Sequence, residues 1–307
     1  MCGLFGFTTY GNNGKNYTEL LQALATFSTE RGHHASGISY ILDNKLITYK
    51  KAVSGNKLKP LHLDGVQAIT GHTRHATQGD YKLNYNNHPF SGTIDNVDIA
   101  IAHNGIIYND AELQCKHKLT KSRITTDSYV YLQLLEKQKQ LDFDGIRRAT
   151  EELKGYYTFT ILDAKNNLFF VKGDSPLSLV HIPELKIFIY ASTDEILYNS
   201  LMSCGMFEYI KQNKHEDIKI SEGDILKIDY NGKISKGNFE PYKTSYSFKN
   251  WYDYEDITDD TTDEEYKQLL FSTAEAFGYD AEEIEELLQY GYCLEDIEDY
   301  IYGGDLY

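Results

Sequence analysis

Met1-Cys2-Gly3-Leu4-Phe5-Gly6-Phe7 opens the chain, and the reading of this stretch decides what the rest is for. Methionine aminopeptidase removes Met1 when the second side chain is small, so Cys2 can become the N-terminal residue. That residue then carries a thiol, with a free pKa of about 8.5, and an α-amine with a pKa of about 7.7–8.0. The amine can take the thiol proton through a bridging water, the logic of a nucleophile paired with an N-terminal amine base. Leu4, Phe5 and Phe7, interrupted by Gly3 and Gly6, read as a short buried strand. A cysteine at position 2 says little by itself, because many chains have a small second residue. Its weight comes from the motifs farther along the chain.

After this strand, residues 10–14 are a turn signal. Residues 18–30 carry Leu20, Leu21, Leu24 and Phe27 on one face of a helix that Gly32 ends. A hairpin is predicted at 38–42 and 46–49 around Asp43-Asn44, and strands at 66–73 and 97–103. The second of these runs into Asn104-Gly105, which reads as a tight turn. Helices are predicted at 110–116, 127–136 and 145–153, then strands at 156–162, 168–172, 177–181 and 187–190. A short helix at 194–201 precedes a last strand pair, 225–229 and 233–236. Strands outnumber helices, and the helices fall into two clusters. The pattern predicts an α+β plan, with antiparallel sheets sandwiched between helix layers.

The 307 residues suffice for one large or two modest domains. No run of about 18 apolar residues is present, so no spanning helix is expected, and the start lacks the basic-then-apolar layout of a secretory signal. Cys2, Cys115, Cys204 and Cys293 are scattered with neither zinc nor disulfide spacing, so a reducing cytoplasm is the natural setting. The net charge of −16 is unevenly placed. Residues 251–307 hold 19 acids and one base, Lys267, whereas residues 1–250 hold 27 acids against 29 bases. A body so balanced offers no basic surface for nucleic acid, and the acidity marks a separate unit. Residues 242–261 read as a linker. Residues 262–307 read as an acidic helical tail, with capping boxes Thr262-x-x-Glu265 and Asp280-x-x-Glu283 and an apolar stripe in each segment.

Five polar motifs come after Cys2 in order: Arg31-Gly32-His33-His34-Ala35-Ser36-Gly37, Gly71-His72-Thr73-Arg74-His75-Ala76-Thr77-Gln78-Gly79, His88-Pro89, His103-Asn104-Gly105-Ile106-Ile107-Tyr108-Asn109, and Thr126-Asp127. Each alone has a plain structural reading. Arg74 could be a surface charge, Asp127 a helix N-cap, and Asn104-Gly105 a turn. In this order, in register with Cys2, the set resembles the class II glutamine amidotransferases, the N-terminal-nucleophile glutaminase family, over residues 2–241. That resemblance implies a four-layer αββα sandwich of the N-terminal-nucleophile hydrolase type. It implies glutamine as the substrate and Cys2 as the nucleophile attacking its side-chain amide. The Asn104 amide and the Gly105 N–H would form the oxyanion hole. Arg74 would hold the glutamine α-carboxylate as a planar fork, Asp127 its α-ammonium, and Thr77 the same end, while Arg31 would brace the site near Cys2. No cofactor is implied. The histidines at 33, 34, 72, 75, 88 and 103 show no H-x-x-x-H spacing, so no metal is expected.

This sequence departs from the family pattern at three positions that shape the site. His34 stands where an acid is usual, His75 where an aromatic ring such as Trp is common, and Gln78 where a histidine is. Family members normally carry a second half that consumes the ammonia, and no Gly-rich nucleotide loop appears here. A stand-alone glutaminase, delivering ammonia to a separate acceptor enzyme, is the expectation. The alternative is a catalytically weak or inactive module that binds a partner through its acidic tail.

Overall fold

The computed structural model describes residues 2–11, 15–59, 63–242, 270, 271, 274, 279–289 and 294–301. The chain divides into two compact units, Met1–Lys243 and Thr244–Tyr307. In the first, the strands are β1 (Gly3–Thr9), β2 (Ala35–Leu42), β3 (Lys45–Lys51), β4 (Ala68–Arg74), β5 (Phe90–Ile94), β6 (Val97–Ile107), β7 (Gly155–Asp163), β8 (Leu168–Lys172), β9 (Ser178–Ile182), β10 (Ile187–Ala191), β11 (Glu216–Asp217), β12 (Asp224–Ile228) and β13 (Ile234–Asn238). The helices are α1 (Thr18–Phe27), α2 (Asp110–His117), α3 (Tyr129–Glu136), α4 (Phe143–Thr150), α5 (Asp194–Ser203) and α6 (Phe207–Lys211).

Two antiparallel sheets form, in the orders β11-β9-β10-β1-β4-β2-β3 and β13-β12-β8-β7-β6-β5. Their strands are apolar on both faces because each sheet is covered twice. Phe5 and Phe7 of β1 and Ile187 and Ile189 of β10 pack against Leu20, Leu21 and Leu24 of α1 and Ile196, Leu197 and Leu201 of α5. Leu4, Phe188 and Tyr190 point the other way and meet Ala102, Leu162, Phe170 and Leu226 of the second sheet. That sheet's far face, with Ile101, Phe159 and Ile161, packs on Val130, Leu134 and Leu135 of α3 and Ile146 and Ala149 of α4. Three cores between four layers make an αββα sandwich. Each fully buried Leu, Ile or Phe contributes roughly 1.5–3 kcal/mol by leaving water.

Polar pins fix how the sheets face each other. Thr70 Oγ1 on β4 lies 2.7 Å from Thr160 Oγ1 on β7, and Tyr190 OH donates to Thr70 Oγ1 at 3.1 Å. His72 Nε2 donates to the His103 carbonyl at 2.8 Å. The Thr70–Thr160 and His72–His103 bonds lock β4 to β7 and β6 of the facing sheet.

The hairpin around Asp43-Asn44 forms as expected, with both residues at positive φ. Asn104-Gly105 does not turn. Both residues lie inside β6, paired with Thr158 and Tyr157, because a long strand ladder outweighs the local preference of the dipeptide. The turn is instead at Asp95-Asn96, both at positive φ, which creates β5, a strand not predicted from the sequence. The helix expected from 127 begins at Tyr129, after a turn.

In the second unit, α7 (Ala281–Gln289) and α8 (Leu294–Ile301) bury Ile284, Ile297 and Ile301 with Leu270 and Ala274. Glu282, Glu283, Glu285 and Glu286 are exposed, so the acidic side of α7 faces water while its stripe faces the small core. The Thr262–Glu265 capping box and, apart from Tyr242, the linker expected at 242–261 lie outside the described residues. No helix among the described residues is long and apolar enough to cross a membrane.

Candidate active site

The strand order brings the five motifs to one rim of the sandwich. β1 and β4 are antiparallel neighbours with Gly3 opposite Thr73, so Cys2 lies beside Arg74 at the ends of both strands. β2 pairs on β4 with Ala35 opposite Arg74, which brings Arg31 back to Cys2. The Arg31 Nε donates to the Cys2 carbonyl at 2.9 Å. Gly32 allows this return, since a Cβ there would sit 2.5 Å from the Arg74 carbonyl carbon.

The Cys2 thiol donates to the His75 carbonyl at 3.5 Å. Cys2 keeps some exposed surface as a residue, but burial of the sulfur pushes its pKa up, opposed in part by the positive charge of Arg74. A thiol raised in this way needs a base before it can attack.

Arg74 is no surface charge, being 2% exposed. Its Nη1 donates to Asn87 Oδ1 at 2.7 Å. Its Nη2 donates to the carbonyls of Gln78 and of Gly79, the latter at 2.9 Å, and reaches Thr126 Oγ1 at 3.3 Å. All four acceptors are neutral. Asp127, 5% exposed, is not a helix cap. Its Oδ2 accepts from the Ile107 N–H on β6 at 2.7 Å, and burial lifts its carboxyl to about 6 despite that bond. Neither Arg74 nor Asp127 has an ion-pair partner among the described residues.

Asn104 is buried on β6, and its Nδ2 has no hydrogen-bond partner among the described residues. An orphaned buried amide donor costs about 1–3 kcal/mol. Gly105 is next, at φ +139°, where a Cβ would lie 2.0 Å from the Tyr156 carbonyl oxygen. Only glycine fits that position. Thr77 is exposed on the loop after β4, with no side-chain hydrogen bond among the described residues.

The three departures all lie on or against that loop. His34 Nδ1 accepts from the Ala76 N–H at 3.0 Å, and its ring stacks between His75, at 4.8 Å, and Tyr81, at 4.7 Å. Burial holds His34 below its usual pKa and His75 down at about 4, so both are neutral rings at neutral pH. Gln78 Nε2 donates to Asp110 Oδ2 at 3.2 Å.

Behind the rim, Asn86, which the sequence did not single out, and three of the motif histidines hold the parts together. Asn86 accepts from the Thr125 N–H at 3.0 Å and donates to the Asp80 carbonyl at 3.1 Å. His88 Nε2 lies 2.7 Å from Ser128 Oγ. Burial brings His72 and His103 to about 3 and lowers His88 well below its usual value. These histidines are neutral struts, and no group of three or more His, Cys, Asp or Glu among the described residues is placed to hold a metal.

The family described as glutamine amidotransferase domain matches residues 72–199, a span holding Arg74, Thr77, Asn104, Gly105 and Asp127. Glutamine–fructose-6-phosphate aminotransferase of Aquifex aeolicus is 33% identical over 205 residues, 64% of this chain and 33% of that protein. 7-cyano-7-deazaguanine synthase of Saccharolobus solfataricus is 26% identical over 214 residues, 64% of this chain and 43% of that protein. The chain thus spans less than half the length of these relatives. The solved glutamine phosphoribosylpyrophosphate amidotransferase of B. subtilis shares the fold, with a TM-score of 0.60 and 21% identity over 78% of this chain and 49% of that one. Together with the motif order at the rim, these likenesses establish that the chain carries a class II glutamine amidotransferase domain.

Proposed function

We propose that this domain hydrolyses the side-chain amide of glutamine to glutamate and ammonia through a Cys2 thioester. The observation that carries the reading is the pair of buried, unneutralised charges. A guanidinium and a carboxylate at one rim that, among the described residues, each lack an ion-pair partner are complementary to a zwitterion, and the α-carboxylate and α-ammonium of an amino acid supply both charges. Burial without such a partner is costly, and a ligand offsets it. With Met1 removed, the Cys2 amine takes the thiol proton through a water, and sulfur attacks the amide carbon of glutamine. The oxyanion that forms is held by Asn104 Nδ2 and the Gly105 N–H. Collapse breaks the C–N bond, and ammonia leaves with the proton held by the amine. Water then attacks the γ-glutamyl thioester, which releases glutamate and restores the thiol.

The ammonia goes to a separate acceptor enzyme, docked through the acidic C-terminal unit. The exposed glutamates of α7 support this, as does the name glutamine–fructose-6-phosphate aminotransferase, which describes a relative that moves glutamine nitrogen to an acceptor. Removing residues 251–307 then leaves glutamine hydrolysis intact while acceptor binding is lost. That binding also weakens with salt, because exposed charges are screened over about 10 Å at 0.1 M.

Glutamate release from glutamine by the full chain tests the activity. Cys2→Ala is expected to abolish release while glutamine still binds. Release undiminished in Cys2→Ala would overturn the reading.

A further inference from the structure

Asn87 has no assigned role, yet it is 1% exposed and bonded on three sides. Its Oδ1 accepts from Arg74 Nη1 at 2.7 Å, and its Nδ2 donates to the Tyr81 carbonyl at 2.7 Å. Its own carbonyl accepts from Lys50 Nζ at 2.6 Å, and the same ammonium reaches the Pro89 carbonyl at 3.0 Å. The chemistry of the partners fixes which way the amide points, because a guanidinium can only donate and a carbonyl can only accept. Position 87 therefore needs one acceptor and one donor on the same planar group, which an amide supplies and a carboxylate does not.

A carboxylate is the usual partner of a buried guanidinium. Here the side chain facing Arg74 is neutral, and Lys50, which backs the same segment, adds a second cation that also lacks an ion pair among the described residues. A buried guanidinium held by neutral oxygens, backed by a half-buried ammonium that also lies 4.9 Å from the Phe90 ring, makes a receptor for an anion from outside the chain.

We propose that Asn87 is a positioning residue for substrate recognition, holding the Arg74 guanidinium in place without neutralising it, so that its charge is kept for the α-carboxylate of glutamine. This rests on the reading of Arg74 as the carboxylate site. Asn87 does not touch the substrate. It sets the plane of Arg74 and, through Tyr81, ties that plane to the loop that carries Thr77 and Gln78.

The test uses the full chain with Cys2→Ala, so that binding is measured without turnover. Dissociation constants are taken by titration calorimetry for glutamine and for glutaminamide, which has an amide in place of the α-carboxylate. Asn87→Asp nearly preserves size and shape and places a negative charge against Arg74. It is expected to weaken glutamine by about 10–100-fold, the worth of one charge-assisted hydrogen bond, while glutaminamide changes by no more than about threefold. Asn87→Ala keeps the cation but frees it, and is expected to weaken glutamine less than Asn87→Asp does. Equal weakening of both ligands by Asn87→Asp would show a merely structural role and overturn the proposal, as would unchanged glutamine affinity. Those failures would leave the Arg74 reading standing. If the Cys2→Ala parent bound glutaminamide as tightly as glutamine, the Arg74 reading itself would fall and the proposal with it.

Discussion

Strand β1 has two ends, and the polar groups at them are treated in opposite ways. At its C-terminal end, Tyr10 OH lies 2.9 Å from His181 Nε2, and His181 Nδ1 lies 2.9 Å from Glu216 Oε2. The imidazole also stacks on Phe188 at 4.1 Å, so a phenol, an imidazole and a carboxylate complete one another. At the N-terminal end, the Cys2 thiol is raised by burial, the Asn104 amide donor is unpartnered among the described residues, and Arg74 and Asp127 have no counter-ions there. At the first end these side chains pair off with each other, although Thr8 Oγ1 of β1 is buried without a partner among the described residues. At the second, the groups that the proposed reaction assigns to the ligand are left incomplete and held by neutral neighbours, a local cost the rest of the fold absorbs.

The largest effect that can break this contrast is at Asn104. If its orphaned donor is aimed at an oxyanion, Asn104→Ala lowers kcat by about 10²–10³ with a smaller change in KM, because the charge exists only in the transition state. A change confined to KM would remove Asn104 from that role.

Asp127 comes next and acts in two directions. Its folded carboxyl pKa, about 6, is raised from an ordinary 3.8, so the empty fold binds that proton more tightly than the unfolded chain does. Stability from this group is therefore present at low pH and lost as pH rises through about 4 to 6. At neutral pH the ionised form costs on the order of 3 kcal/mol. Asp127→Asn should raise the melting temperature of the ligand-free chain at pH 7 and, at the same time, largely abolish glutamine binding. In the parent, KM for glutamine should rise about tenfold per pH unit below about 6, as the carboxylate that meets the ammonium is protonated. A flat KM between pH 5 and 7 would place the ammonium elsewhere.

Arg74→Lys is expected to weaken glutamine with little change in kcat, since a point charge does not replace a bidentate fork. The smallest effect belongs to the paired end. Glu216→Gln removes a carboxylate whose side chain is 62% exposed, and should shift stability by about 0.5 kcal/mol or less with no change in glutamine turnover. A loss of activity there would mean the two ends are coupled and the contrast is false.

Much of the fold is legible in the amino-acid sequence. Alternation of Leu4 against Phe5 and Phe7 marks a strand buried on both faces, and the two helix clusters mark the outer layers. Asn104-Gly105 misleads because a dipeptide that favours turns also suits a strand residue held at positive φ against the Tyr156 carbonyl. The true turn, Asp95-Asn96, lies in a polar stretch without an apolar period on its N-terminal side, and β5 is hidden with it. Asn86 and Asn87 are not readable as a hub, since their partners lie at Lys50, Arg74, Tyr81 and Thr125. No local period encodes bonds of that reach. The same holds for His72, whose role depends on the carbonyl of His103 in the facing sheet.

The central claim is that Cys2, as the N-terminal residue, attacks glutamine. The most direct measurement is the intact mass of the chain quenched in acid during turnover, with mapping of the modified residue. The expected species is a chain without Met1 that carries one γ-glutamyl group on Cys2. Turnover by a chain that retains Met1, or a γ-glutamyl group on any other residue, would contradict it.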